Sequence, residues 1–477
     1  MIAGLLLAVL LGWQAGTGSL GVTLLFTAGL AYVVIVSVTR CHWEAPFMAM
    51  LIVGYLVGNR GFAQLMPGGL PLLPGEAGVM VAVIALALRI PLERDLPFRF
   101  NAVTGFLLLW ILTSSVHMLF DLPRMGFTAV RDFAMVYYAV IFFAGLSLAR
   151  NARSLQVLEI GIAVGFYLSC IGYVIFLLRP DWFSLITYRG SPIIWYKGDL
   201  MGIFAAAGIF YFYVLSLRFR HPAAKAFLLL GMGACAGALF LSLARSAIVG
   251  AAVGVVIMVL AGHWRIVPKL IIVGILGAGM VIGADLLREN RLTESPLYAA
   301  FEHGVSLVDV TGRYDYQNPD SVDTGDNNRF RLVWWRSLTQ HVFEHGPVFG
   351  LGFGYNLANP FVQEYFPTGN DRFSARSPHN FMLTVFGRTG LVGVACLGLL
   401  FLFLGGQLIR MVIRQKAKEP IARPLLYTTM ALVIFIGALF QVVLEGPMGA
   451  VLFWLFLGLG QGCWMQVQEE AQDESAE

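Results

Sequence analysis

A guanidinium placed among apolar side chains is costly unless an anion meets it. Asn327 and Asn328 can cap a helix that runs from Arg329-Phe330-Arg331 through Leu332-Val333-Trp334-Trp335-Arg336-Ser337-Leu338 to about His345, where Gly346-Pro347 ends it. At about 100° per residue, Leu332, Trp335, Leu338 and Val342 form its apolar stripe, with Arg329, Arg336 and Gln340 opposite. Arg331 falls inside the stripe, which predicts an anionic partner. A loop carboxylate in a structural ion pair and a bound phosphate explain it equally well at this point.

Further on, Ser377-Pro378-His379-Asn380 precedes a long apolar run. Ser at an N-cap with Pro in the first helical position predicts a helix start, whose free N–H groups favour an anion. His379 stands at that tip. It is suited to take a proton from a hydroxyl near neutral pH, although a lone interfacial histidine more commonly only hydrogen-bonds. Arg245 is the single charge in the turn Leu243-Ala244-Arg245-Ser246. Snorkelling is its ordinary explanation, and it gains weight only if it converges with Arg331 and His379 on one anion. Gly350-Leu351-Gly352-Phe353-Gly354 lacks the strand-turn-helix setting of a dinucleotide site. It reads as a turn that lets backbone approach a substrate or a helix. The irregular spacing of Asp309, Asp315, Asp320, Asp323 and Asp326 implies no metal site. Glu445 and Asp132 read as solvated or helix-capping.

These residues sit in an unusually apolar chain. Of 477 residues 58% are hydrophobic and only 13% charged, with a mean hydropathy of +0.75, which excludes a soluble enzyme. A net charge of +4 makes no basic surface for nucleic acid. The five cysteines suggest neither a disulfide framework nor a zinc site. Apolar runs bounded by charges predict fourteen membrane helices near 1–16, 20–38, 46–59, 77–90, 102–120, 132–149, 155–178, 200–217, 225–243, 246–262, 269–286, 381–409, 425–444 and 447–464. Gly58-Asn59-Arg60-Gly61 interrupts the third.

Alternate connections carry the basic residues Arg40, Arg94, Arg99, Arg150, Arg153, Arg218, Arg220, Lys225, Arg265, Lys269, Arg410, Arg414, Lys416, Lys418 and Arg423, whereas the short loops of the other side hold one lysine, Lys197. The first set is therefore expected in the cytoplasm together with both termini. The organisation is helices 1–11 in residues 1–286, a large external loop over 287–380, helices 12–14 in 381–464, and an acidic tail, 465–477. A loop of that length usually carries function.

The run from Arg331 to Leu338, the segment Gly346 to Gly354, His379-Asn380-Phe381 followed by Gly387, Gly390 and Gly393, and the turn Ser242 to Ala247 together resemble the bacterial O-antigen ligase and polymerase superfamily. The resemblance implies an all-α, C-type glycosyltransferase-like fold in the bacterial inner membrane with a periplasmic catalytic loop. It implies an enzyme without metal or cofactor that moves a glycan from undecaprenyl diphosphate to an acceptor hydroxyl with inversion. Arg245 and Arg331 would bind the diphosphate and His379 would lie at the reacting centre. Arg329 is the alternative occupant of the Arg331 role, and Arg329, Arg336, Gly352, Ser377 and Asn380 complete the expected substrate-contacting set. Partners would be the lipid-linked glycan donor, a glycan acceptor, membrane lipid, and chain-length regulator and flippase proteins. Fourteen spans and this length favour an exopolysaccharide or O-antigen polymerase over a ligase that uses the lipid A core. A lipid-linked glycan flippase or other transporter is the rival from a different class. It would carry substrate-facing charges within the bilayer, short loops and often repeated halves, whereas here the charges gather on one external loop and the two halves show no similarity.

Overall fold

The computed structural model describes residues 32–34, 36–66, 72–93, 100–275, 296–306, 309, 313–318, 324–366, 375–416 and 422–476. It is an all-α polytopic membrane protein. Among the described residues, eight helices are long and apolar enough to cross a bilayer: Pro74–Pro91, Ala102–Met125, Phe127–Ala149, Ala152–Leu178, Gly198–Arg218, Pro222–Ser242, Phe381–Gln415 and Pro447–Asp473. Each falls on an expected span. Three further apolar helices, Arg245–Leu260, Ile266–Ile275 and Arg423–Ala438, are shorter. The first of them has 16 residues, less than the roughly 20 that a bilayer core demands of an upright helix. The expected span 1–16, most of 20–38 and the end of 269–286 lie outside the described residues.

Local sequence explains the element boundaries. Asn101 and Thr104 form a reciprocal capping box at the start of Ala102–Met125, and Asn151 accepts from the N–H groups of Arg153 and Ser154 to open Ala152–Leu178. The helices Gly198–Arg218 and Pro447–Asp473 are buried on nearly every side and form the centre of the bundle. Ala102–Met125, Pro222–Ser242 and Phe381–Gln415 lie mostly at its surface.

Two chain breaks prepare the site. Helix Glu44–Ala63 contains Asn59 at φ 52° and ψ −125°, the interruption expected at Gly58 to Gly61. Helix Phe381–Lys416 contains Gly390 at φ 60° and ψ −154°. A side chain at 390 would strike the backbone of Val348 and Gly350, so only glycine lets the loop lie in the break. There Leu391 N–H donates to Pro347 O at 2.9 Å and Leu351 N–H to Gly387 O at 2.7 Å. Between these membrane elements, the described residues of the large loop form helices Pro296–Val305, Thr324–His345 and Asn359–Tyr365. Trp334, Leu338, Val342, Leu357 and Phe361 give it a small core of its own.

Candidate functional site

Arg331 lies on the loop helix Thr324–His345 in phase with the buried Trp334, Leu338 and Val342. The buried stripe is thus rotated by about one residue from the expected one: Leu332 is 40% exposed and Trp335 half-buried. The loop's own core causes the rotation. The Trp334 ring stacks on Phe361 with centroids 5.2 Å apart, and its Nε1–H donates to Leu357 O at 3.1 Å. The helix also begins earlier than expected, at Thr324, so Asn328 is internal and does not cap it. Its Oδ1 accepts from Arg245 Nη1 at 2.9 Å while its Nδ2 donates to Ser306 O and Asp309 O. Arg245 Nη1 also donates to Ser306 Oγ at 3.1 Å. The turn guanidinium is therefore tied to the loop helix by neutral groups.

His379 takes a left-handed conformation, φ 56°, and its neighbours fix it there. Trp335 Nε1–H donates to Pro378 O at 2.7 Å, and Arg376 Nη2 reaches Asp132 at 3.1 Å and Gly354 O at 2.8 Å. The expected Ser377 cap is corrected: the helix starts at Phe381, and Asn380 caps it by accepting from Leu383 N–H at 3.1 Å. The non-helical backbone at His379 prevents an earlier start. Ser377 Oγ instead donates to Glu445 Oε1 at 3.0 Å, as Thr384 Oγ1 does at 3.1 Å. Glu445 is neither solvated nor capping. Burial pushes its carboxyl above the ordinary range, and its second oxygen has no hydrogen-bond partner.

Arg331, Arg245 and His379 converge. The His379 ring lies 5.9 Å from that of Trp334, and it feels the charge of Arg331. Arg331 in turn feels Arg245. Burial first, then Arg331 and Lys197, lower the imidazole from 6.5 to about 4. It is therefore neutral at physiological pH and able to accept a proton. Burial and the charge of Arg245 also lower Arg331. Among the described residues, no carboxylate lies within ion-pair distance of Arg331 or Arg245. Two guanidiniums held close, with Asp199 acting on them only through space, repel each other, and a phosphate or diphosphate bound between them relieves that repulsion.

The remaining expected residues are placed apart from this convergence. Arg329 is exposed on the loop helix. Arg336 and Asn380 line a groove of about 820 Å³ with Leu332, Trp335, Met382 and Phe440, on the other flank of the helix from Arg331. Gly352, at φ 89°, approaches a helix: a Cβ there would meet the Asp121 carboxylate at 2.7 Å. Phe353 N–H donates to Asp121 at 2.7 Å, and Arg388 joins Gly352 O at 3.2 Å and Asp132 at 2.8 Å. That network anchors the loop, with Asp132 at its centre.

Sequence reasoning passed over Lys197 and Asp199, which are paired at 3.7 Å beside the cluster. The available signal was that Lys197 is the sole lysine of its side. A family model described as O-antigen ligase matches residues 226–398, which include Arg245, Arg331 and His379. A search of curated proteins found no match.

Proposed function

We propose that the protein, whose residues 226–398 match the O-antigen ligase family model, polymerises undecaprenyl-diphosphate-linked repeat units at the periplasmic face of the inner membrane. The observation that carries the reading is the meeting of Arg245 and Arg331, with no carboxylate in ion-pair contact among the described residues, beside a neutral His379.

The donor diphosphate lies between the two guanidiniums. The acceptor hydroxyl oxygen forms a bond to the anomeric carbon, and the bond from that carbon to the phosphate oxygen breaks with its electron pair leaving on the diphosphate. Fixed guanidiniums stabilise that developing charge without reorganisation. His379 takes the hydroxyl proton or orients it. Burial and two neighbouring cations make His379 a weak base in the empty site, and the incoming diphosphate offsets those cations, so donor binding strengthens the base.

Reconstitution tests the reading. Lipid-linked repeat units, supplied as both donor and acceptor to purified protein in nanodiscs, should give a ladder of products. A ladder that never forms, with transfer only when lipid A core is added, would mark a ligase. In cells, an impermeant thiol reagent should label a cysteine placed at Glu344 and spare one at Arg414. The reverse pattern would invert the topology.

A further inference from the structure

Lys197 and Asp199 lie outside the segment matched by the family model, and the steps above give neither a contact with the donor. Their position is nonetheless closely specified. In the break of helix Glu44–Ala63, Asn59 Oδ1 accepts from Lys197 N–H at 3.0 Å and from Arg60 N–H at 2.9 Å. Trp195 N–H donates to Gly58 O and Arg60 N–H to Trp195 O, each at 3.1 Å. The chain before Lys197 is thus laid strand-like against the broken helix. One turn later, Gly202 leaves room for the turn that bears Arg245: a Cβ there would overlap Ser242 Oγ and come within 2.7 Å of Ala244 Cβ. Lys197 therefore stands at the start of helix Gly198–Arg218, against the arginine turn.

That is an adverse place for a cation. The N-terminal end of a helix carries partial positive charge, and Arg245, Arg331 and His379 are near. Asp199, the acid of the first helical turn, lies 3.7 Å from Lys197 Nζ and within electrostatic range of both arginines and the histidine. One carboxylate faces three cations.

We propose that Lys197 is a third cation of the diphosphate site and that Asp199 is its resident counter-anion, displaced electrostatically when the donor binds. This rests on the reading of Arg245, Arg331 and His379 as that site. Cleavage leaves the lipid diphosphate with a further negative charge, which three cations alone would hold tightly. Asp199 repels it and so aids release of the product before the next cycle.

The two residues consequently act with opposite sign. Full-length protein in nanodiscs would be titrated with undecaprenyl diphosphate and with farnesyl diphosphate as a short probe. Lys197→Gln should weaken binding about tenfold and Lys197→Arg should largely restore it, whereas Asp199→Asn should tighten binding several-fold and slow turnover. Thermal midpoints of the variants should stay close to the wild type. If Lys197 and Asp199 serve only as each other's structural partner, both neutralising variants will shift affinity in the same direction and lower the midpoint, which overturns the inference. If wild-type protein binds both probes and Arg331→Ala abolishes binding while Lys197→Gln does nothing, the inference falls and the functional reading stands. If wild-type protein binds neither probe, both fall.

Discussion

Charged side chains gather at both ends of the bundle, and one cluster at each end shows how differently they can be satisfied. Asp199 and Arg218 sit at opposite ends of one 21-residue helix, roughly 30 Å apart at the α-helical rise. At the Arg218 end Glu159 receives Arg218 at 3.0 Å, Arg423 at 2.9 and 3.1 Å and the Tyr427 hydroxyl at 3.1 Å, while Glu44 meets Arg89. At the Asp199 end, Arg245 has only the neutral Ser306 and Asn328, and Arg331 has no bonded partner among the described residues. The first arrangement is complete in itself and joins helices. The second is incomplete without an anion, and that incompleteness marks a binding site where the mere presence of charge would not.

The comparison breaks most visibly at His379. Replacing it with Ala should cut product formation by about 10²–10⁴-fold, with expression and membrane insertion intact. The Gln variant sharpens the result. Substantial activity in His379→Gln would show that the side chain orients the hydroxyl by hydrogen bonding and does not take its proton. Wild-type polymer from a well-expressed His379→Ala strain would remove the residue from the mechanism.

Arg331→Ala and Arg245→Ala should each cost about 10²–10³-fold in turnover, with Lys a poor substitute because it lacks the planar fork. Neither should lower stability much, since neither breaks an ion pair. Glu159→Gln should do the opposite: two arginines lose their carboxylate, stability falls by about 2 kcal/mol, and turnover per folded molecule changes little. Thermal unfolding and single-turnover assays on the same preparations separate the two patterns. Loss of turnover without loss of stability in Glu159→Gln would erase the distinction between the ends.

The smallest expected effect is in the pH profile. An ordinary histidine base would lose activity as pH falls through about 6.5. His379 is lowered to about 4, so kcat/KM, which reports the free enzyme, should stay level through that region and decline only well below it. Removing the Arg331 charge raises the histidine, so the residual activity of Arg331→Ala should fall at a higher pH than that of the wild type.

Much of this is legible in the sequence. Apolar runs located the long helices because bilayer thickness sets a length that few other structures share. The phase of Arg331 was readable because a helix repeats every 3.6 residues, yet the stripe was placed one residue off. Two adjacent tryptophans fit either phase, and Phe361, some thirty positions away, decides between them. The sequence points to a helix start at Ser377 because Ser-Pro and Asn380 both satisfy capping rules, and the backbone at His379 chooses Asn380. Glu445 looked solvated because its partners Ser377 and Thr384 belong to a different helix pair. Lys197 and Asp199 depend on a helix break at Asn59 and on contacts far apart in the chain. Local patterns do not encode such contacts, although a single lysine on the lysine-poor side was a visible anomaly.

The most direct test is a structure of the full chain bound to undecaprenyl diphosphate. The account predicts both phosphates between the guanidiniums of Arg245 and Arg331, within hydrogen-bond distance of each, with the lipid-distal oxygen facing His379. A diphosphate bound elsewhere, with Arg245 and Arg331 still bare, would contradict it.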